Sequence, residues 1–263
     1  MEFQHIIYSR QGAAATISLN APKTLNALTR AMLREINIAL DAVTQPDSGV
    51  RCLLLTGEGR GFSSGMNLTD LDAPKMSPPD TGQILDEFFT PLLLRLRDME
   101  IPIVVALNGV TAGVTMGIAL MGDIILAAQS AYFLQPFATI ALIPDGGATW
   151  LLPRFLGKAR ALELSLLAER LPSEKALEWG LINFVHDDDK LRDEANAMAQ
   201  RLANGPTRAY GLIRKAFWEG FENNFAEQLQ VERLYQRTAG RTKDAAGAVR
   251  AFLNKTPPEF SGH

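Results

Sequence analysis

The chain has 263 residues, with 26 Lys and Arg against 29 Asp and Glu, a net charge of −3 and a hydrophobic share of 47%. This balance fits a globular chain with a large core and excludes a fibrous or disordered one. It leaves no basic face of the kind that nucleic acid requires, and the cations of segment 208–215 read as solvated helix positions. No apolar run reaches the roughly 20 residues of a membrane helix, and MEFQHIIYSR lacks the apolar core of a signal peptide, so neither membrane nor nucleic acid is expected as a partner and a cytoplasmic location is. Cys52 lies inside CLLLT and reads as a small core residue, while His5, His186 and His263 are too widely spaced to suggest a metal site.

Alternation of polar and apolar residues predicts a strand over 16–19, ended by Asn20-Ala21-Pro22-Lys23. Met32, Leu33, Ile36, Leu40 and Val43 recur at three and four, which predicts a helix that stops at Gln45-Pro46-Asp47-Ser48-Gly49. A buried strand over 52–56 precedes GEGRGFSSGMNLTDL, a glycine-rich loop. Residues 73–80, with three prolines, read as an exposed mobile connection before a helix over about 81–99. The apolar, partly β-branched run 103–107 predicts a strand buried on both faces. After Asn108-Gly109, small residues lead into a helix beginning near Gly113, with its first backbone N–H groups free. Such donors suit negative charge, although a glycine-rich joint of this kind is equally compatible with tight packing alone. Short strands are expected over 124–128 and 132–134, then an IPDGG turn that opens another helix. Beyond Ala159 the pattern is helical except for a weak strand over 181–185. Asn204-Gly205-Pro206 divides the chain into residues 1–204 and a helical region 205–263, whose last helix has an apolar stripe of Ala245, Ala248, Val249, Phe252 and Leu253. Strands alternating with helices, then helices alone, indicate an α/β layer with a helical tail.

Two glycine-containing loops, around 63–67 and 113–115, each follow an apolar strand. If those strands are neighbours, one N–H from each loop can converge on a single oxygen. This pairing resembles the crotonase, or enoyl-CoA hydratase/isomerase, superfamily, and the likeness runs through LNAPKTLNALT at 19–29, GRGFSSGMNL at 59–68, ALNGVTAG at 106–113, IPDGGATWLLPRFLG at 143–157 and AFLNKTPPEFSG at 251–262. The resemblance implies a spiral of ββα turns with a C-terminal helical trimerisation region, assembled as a homotrimer or homohexamer and binding an acyl-CoA thioester. It places the oxyanion donors at the backbone N–H groups of Met66 and Val114. The family commonly has three glycines where this chain has Gly113-Val114-Thr115, and a β-branched residue resists positive φ, so the shape of that half of the hole is a question for the structure.

The two glutamates with which hydratases of this family add water correspond to Gly117 and Phe137. Asp145 stands nearby, and the PDGG turn leading into TWLLPR is similar to the branch that includes the ring isomerases of phenylacetate catabolism. One carboxylate between hydrophobic flanks can take a proton from one carbon and return it to another, so Asp145 is the expected proton shuttle of an enoyl-CoA isomerase. Its plainer role is a helix N-cap. CoA contacts are assigned by the resemblance to Lys23, Leu25, Ser64 and Lys255, the last placed in the final helix, with Phe252 and Phe260 either covering the adenine or simply packing. No cofactor is expected beyond the CoA moiety of the substrate. The alternatives are an enoyl-CoA hydratase, a non-catalytic acyl-CoA binder, and a serine hydrolase, because Gly61-Phe62-Ser63-Ser64-Gly65 matches a nucleophile elbow and Ser63, Asp145 and His186 follow hydrolase order.

Overall fold

The computed structural model describes residues 2–67, 80 and 82–263. The connection expected over 73–79 and the helix start at Thr81 lie outside the described residues. Strand β1 (Ile6–Gln11) pairs antiparallel with β2 (Ala14–Leu19). Helix α1 (Arg30–Thr44) follows, started by Thr29, whose side chain accepts from the Met32 N–H. All five periodic apolar residues of α1 are buried, as their spacing requires.

Three ββα turns then repeat. The first is β3 (Cys52–Gly57), β4 (Gly61–Ser63) and α2 (Thr90–Arg97), with a wide turn over Leu85–Phe89 ahead of α2. The second is β5 (Ile103–Leu107), β6 (Val110–Ala112) and α3 (Val114–Ala119). The third is β7 (Ile124–Ala128), β8 (Tyr132–Leu134) and α4 (Ala148–Leu167), which breaks at Gly157 where φ is 76°. Then come β9 (Leu171–Pro172), α5 (Ser173–Glu178), β10 (Phe184–His186), α6 (Leu191–Ala203), α7 (Thr207–Gly220), α8 (Phe225–Ala239) and α9 (Lys243–Asn254).

Each repeat gives its first strand to a six-stranded sheet, ordered β1-β2-β3-β5-β7-β10, and its second to a four-stranded sheet, ordered β4-β6-β8-β9. Parallel pairing sets the rise of the spiral: Val104 faces Leu54 and Ile124 in the large sheet, and Thr111 faces Ser63 and Phe133 in the small one. The expected ββα spiral is therefore borne out. Strands β1, β4, β6 and β9 were not predicted, and β10 begins three residues later than the predicted 181, at Phe184. Between Asn108-Gly109 and α3 the chain forms a second strand rather than a plain loop.

The helical end is fastened to the spiral by a buried ion pair. Arg214 of α7 donates from Nε to both carboxylate oxygens of Asp123, at 2.8 and 2.6 Å, and its other nitrogens reach the Leu96 and Met99 carbonyls. Asp123 also accepts from the Ile103 N–H, which ties the pair to the start of β5. A second fastening holds the C-terminal tail: Asp244 accepts from the N–H and hydroxyl of Ser261 and the N–H of Gly262, while Arg51 donates to the Phe260 carbonyl and Thr207 Oγ1. Burial alone would raise the Asp244 carboxyl, yet the donors from Ser261 and Gly262 outweigh it and hold the group below its ordinary range. Among the described residues no helix is long and apolar enough to cross a membrane.

Candidate active site

The two glycine loops meet because β4 and β6 are paired. Gly65, at φ 101°, lies so close to β6 that a Cβ there would stand 3.2 Å from the Ala112 carbonyl oxygen. Only glycine takes both that conformation and that approach. Met66 follows at once, forming a parallel bridge with Leu28 in which the Leu28 N–H donates to the Gly65 carbonyl and the Asn67 N–H to the Leu28 carbonyl. The Met66 N–H takes no part and has no acceptor among the described residues. Across from it, Gly113 carries φ 59° and Val114 opens α3. Positive φ thus falls on Gly113, so the β-branched Val114 fits without strain, and its N–H is one of the free donors of the first helical turn. Thr115 locks the joint, its hydroxyl donating to the Ala112 carbonyl at 2.7 Å and reaching the Ser63 carbonyl at 3.3 Å.

Asp145 approaches this joint through its own turn. A Cβ on Gly146 would lie 2.8 Å from the Val114 carbonyl oxygen, so the Asp145 turn rests directly on the start of α3. Helix α4 begins at Ala148 with Gly147 as its N-cap at φ 79°, and no side chain caps it. The capping role open to Asp145 is therefore not the one it fills. Asp145 Oδ1 is buried and has no hydrogen-bond partner. Desolvation pushes the carboxyl up to about 6 from its usual 3.8, offset only in part by its own backbone N–H. A carboxylate partly withdrawn from water is a stronger base than a fully solvated one.

Phe137 is buried in the short turn Pro136–Ile140, and its Cζ would be 3.6 Å from a Cβ on Gly113. An aromatic ring therefore packs against Gly113, the residue before Val114. Lys23, Leu25 and Ser64 are also gathered. The Ser64 N–H donates to the Leu25 carbonyl at 2.9 Å and its hydroxyl to the Thr24 carbonyl at 3.1 Å, while Lys23 is exposed one residue away. Lys255 departs from expectation: it is the exposed residue that ends α9, at φ 56°, and not part of the helix. Phe252 does not pack within the chain, being 82% exposed.

Asn26 was not singled out from the sequence. It is fully buried at φ 55°, its Oδ1 accepts from the Ala21 N–H, and its Nδ2 donates to the Glu58 and Gly61 carbonyls. It stitches the opening turn to the β3–β4 loop. A lone polar residue between Leu25 and Leu28 was its only signal. The hydrolase alternative fails here, because the Ser63 hydroxyl is buried, donates to the Asn26 carbonyl at 2.7 Å, and belongs to the small sheet while His186 lies in the large one. A separate cavity of about 790 Å³ between α2, α4 and α7, with Met99, Met121, Trp150 and Trp218 in its wall, touches the site only at Gly146 and Gly147.

A two-layer ββα spiral with free N–H groups at paired strand-to-helix joints and a part-buried carboxylate on the adjoining turn is the architecture that the crotonase resemblance implies. Residues 9–263 match the family model described as enoyl-CoA hydratase/isomerase. The chain belongs to this family, as its five motifs led one to expect. It is 44% identical to the 1,2-epoxyphenylacetyl-CoA isomerase of Escherichia coli (strain K12) over 263 residues, covering 100% of this chain and 99% of that one. It is 30% identical to the trans-2-decenoyl-[acyl-carrier-protein] isomerase of Streptococcus mutans, with 100% of both chains covered. Among solved structures, an enoyl-CoA hydratase from Bacillus anthracis superposes with a TM-score of 0.91 at 28% identity, covering 99% of this chain and 100% of that one.

Proposed function

We propose that the chain is an acyl-CoA isomerase in which Asp145 moves a proton between two carbons of an unsaturated thioester. The observation that carries this reading is the buried, unpartnered Oδ1 of Asp145 on a turn that rests against Val114. In this scheme the thioester oxygen accepts from the N–H groups of Met66 and Val114, each such donor being worth about 3 kcal/mol to an enolate. With the negative charge held there, an α or γ proton passes to the Asp145 carboxylate, and the same proton returns at another carbon. A group titrating at about 6 is ionised at neutral pH yet basic enough to exchange protons readily.

Hydration is the weaker reading. It asks for an acid and a base that handle water together. At the positions where the resemblance puts glutamates, Gly117 has backbone packed against it and Phe137 presents a ring. Lys23, Leu25, Ser64 and Lys255 serve the CoA moiety, and no further cofactor is needed for a proton transfer. Residues 1–204 form the thioester-binding unit, and the region 205–263 assembles the protein into a trimer or hexamer in the cytoplasm.

Asp145→Asn in deuterium oxide with a panel of 2-enoyl-, 3-enoyl- and aromatic CoA thioesters tests the scheme. Isomerisation and solvent exchange should fall at least about 100-fold while thioester binding is little changed. A variant that binds and turns over like the parent would remove Asp145 from the mechanism.

A further inference from the structure

The cavity of about 790 Å³ between α2, α4 and α7 begins where the reacting carbons of the scheme above stop. The thioester oxygen lies at Met66 and Val114 and the carbons that exchange a proton lie at Asp145, so the next backbone that a longer acyl chain meets is Gly146-Gly147. Both glycines line the cavity. Gly147 is exposed, and apart from its chain neighbours a Cβ there would meet nothing nearer than Leu151 Cδ1 at 3.6 Å, so no side chain bars the way at this point. The helix that closes the cavity is pinned in place. Gly211 of α7 lies so close to segment 99–100 that a Cβ would stand 2.4 Å from the Glu100 carbonyl oxygen, and three residues further on Arg214 holds α7 to Asp123. The volume falls within the roughly 300–1,000 Å³ of small-molecule pockets.

The side chains of the lining decide what fits. Met99, Met121 and Leu151 are buried apolar residues, and Trp150 and Trp218 stack with ring centroids 5.7 Å apart to form an aromatic wall, which Phe221 meets edge-on at 5.3 Å from Trp150. Each cation of the lining already has an acid: Arg97 is 2.7 Å from Asp98, Arg208 is 2.6 Å from Glu100 and Lys215 is 4.0 Å from Glu219. Glu222 is left over, so four acids face three cations. An anion would find no free cation in this lining and one acid too many, whereas an uncharged apolar group gains by leaving water.

We infer that this cavity receives the distal part of the acyl group, which makes the chain selective for CoA thioesters whose acyl chain is uncharged and runs several carbons beyond the fourth. The inference rests on the reading of the chain as an acyl-CoA isomerase with Asp145 at the reacting carbons, and it adds the class of acyl group. Leu94 and Leu212 line the cavity from α2 and α7, the first exposed and the second half-buried, so a larger ring at either place fills the space with little disturbance of the core.

Calorimetric binding of saturated acyl-CoA thioesters, which undergo no reaction, tests the cavity apart from the mechanism. From butyryl- through hexanoyl- and octanoyl- to decanoyl-CoA the parent's affinity should rise by up to about fourfold for each methylene, the scale of burying one. Suberyl-CoA, of octanoyl length with a terminal carboxylate, should bind at least about tenfold more weakly than octanoyl-CoA. Leu94→Trp and Leu212→Trp should each flatten the series, losing at least about tenfold on decanoyl-CoA while butyryl-CoA is unchanged. The parent's own series decides the matter even where a filled variant fails to fold. Affinity that does not rise with length in the parent, equal losses on butyryl- and decanoyl-CoA in the filled variants, or a change of oligomeric state in place of a change in length dependence, overturns the inference while leaving the acyl-CoA reading in place. A parent that binds none of these thioesters overturns both.

Discussion

Gly117 of α3 and Gly146 of the Asp145 turn touch backbone to backbone: a Cβ on Gly117 would lie 1.8 Å from the Gly146 carbonyl oxygen and 2.7 Å from its carbon. The position where the family resemblance puts a hydratase glutamate is therefore filled by the turn that presents Asp145. No flexible side-chain end is available to give way.

Gly117→Ala should accordingly cost about 1–3 kcal/mol, the range for forcing extra atoms into a packed interior. Because the displaced segment carries Asp145, turnover should fall beyond what the stability change explains. Urea denaturation and the isomerase assay on the same preparation check this. A loss of stability within about 0.5 kcal/mol, with unchanged turnover, would show that the contact gives way easily.

The Asp145 carboxyl, pushed up to about 6 by desolvation, makes two pH-dependent predictions. As a base it must be ionised, so kcat/KM should rise with pH and level off above about 6, and this limb should vanish in Asp145→Asn. For stability the sign is reversed. The folded chain binds this proton more tightly than the unfolded chain, so the contribution is fully present below the unfolded value of 3.8 and is lost as pH rises through about 6. Asp145→Asn should therefore be more stable than the parent at pH 8, and the gap should close near pH 4. Equal melting behaviour of the two proteins at pH 8 would mean that the carboxylate is better solvated than its burial indicates.

Much of the site was legible because its parts are local in sequence. The β3 and β5 strands announce themselves as unbroken apolar runs, and the glycines that follow them mark where backbone must approach backbone. What the sequence hid is what depends on partners far along the chain. Strands β4 and β6 are three residues each, too short to show a period, and they exist because the spiral lays them side by side. The question about Val114 dissolved for a similar reason: which residue of Gly113-Val114 takes positive φ is decided by the Gly113 N–H bonding to the Leu134 carbonyl across the small sheet. Lys255 looked helical because the apolar stripe of α9 runs up to Leu253, yet the chain turns into the left-handed region there, ahead of two prolines.

The Arg214–Asp123 pair gives a third prediction. The Arg214 side chain is only 4% exposed and satisfies backbone carbonyls of segment 96–99 as well as the carboxylate. Desolvation raises the Asp123 carboxyl, and the charge and hydrogen bonds of Arg214 work against that rise. Arg214→Met would leave a buried carboxylate without its cation and should cost about 3–5 kcal/mol. Changing both partners to apolar residues of similar size should cost less than either single change. Denaturation midpoints of the two single variants and the double variant test this, and additive losses would argue against a coupled pair.

The last prediction concerns assembly. Within one chain α8 buries none of its residues, and α9 buries only Asp244. The apolar residues that should face a core instead face outward: Phe225 is 80% exposed, Val249 60% and Leu253 72%. The tail fastening through Asp244 and Arg51 fixes the start of α9, so this outward face is held in place rather than free to fold back. Fully burying a Phe or Leu contributes about 1.5–3 kcal/mol, so several such residues clustered on fixed helices favour a contact between copies. Light scattering at micromolar concentration should report a trimer or hexamer, and Phe252→Glu with Leu253→Lys should shift it toward monomer. Since both side chains are already in solvent in the single chain, the double variant should keep its own fold, and far-UV circular dichroism should be unchanged. A parent that stays monomeric at micromolar concentration would contradict the assignment of these helices to assembly.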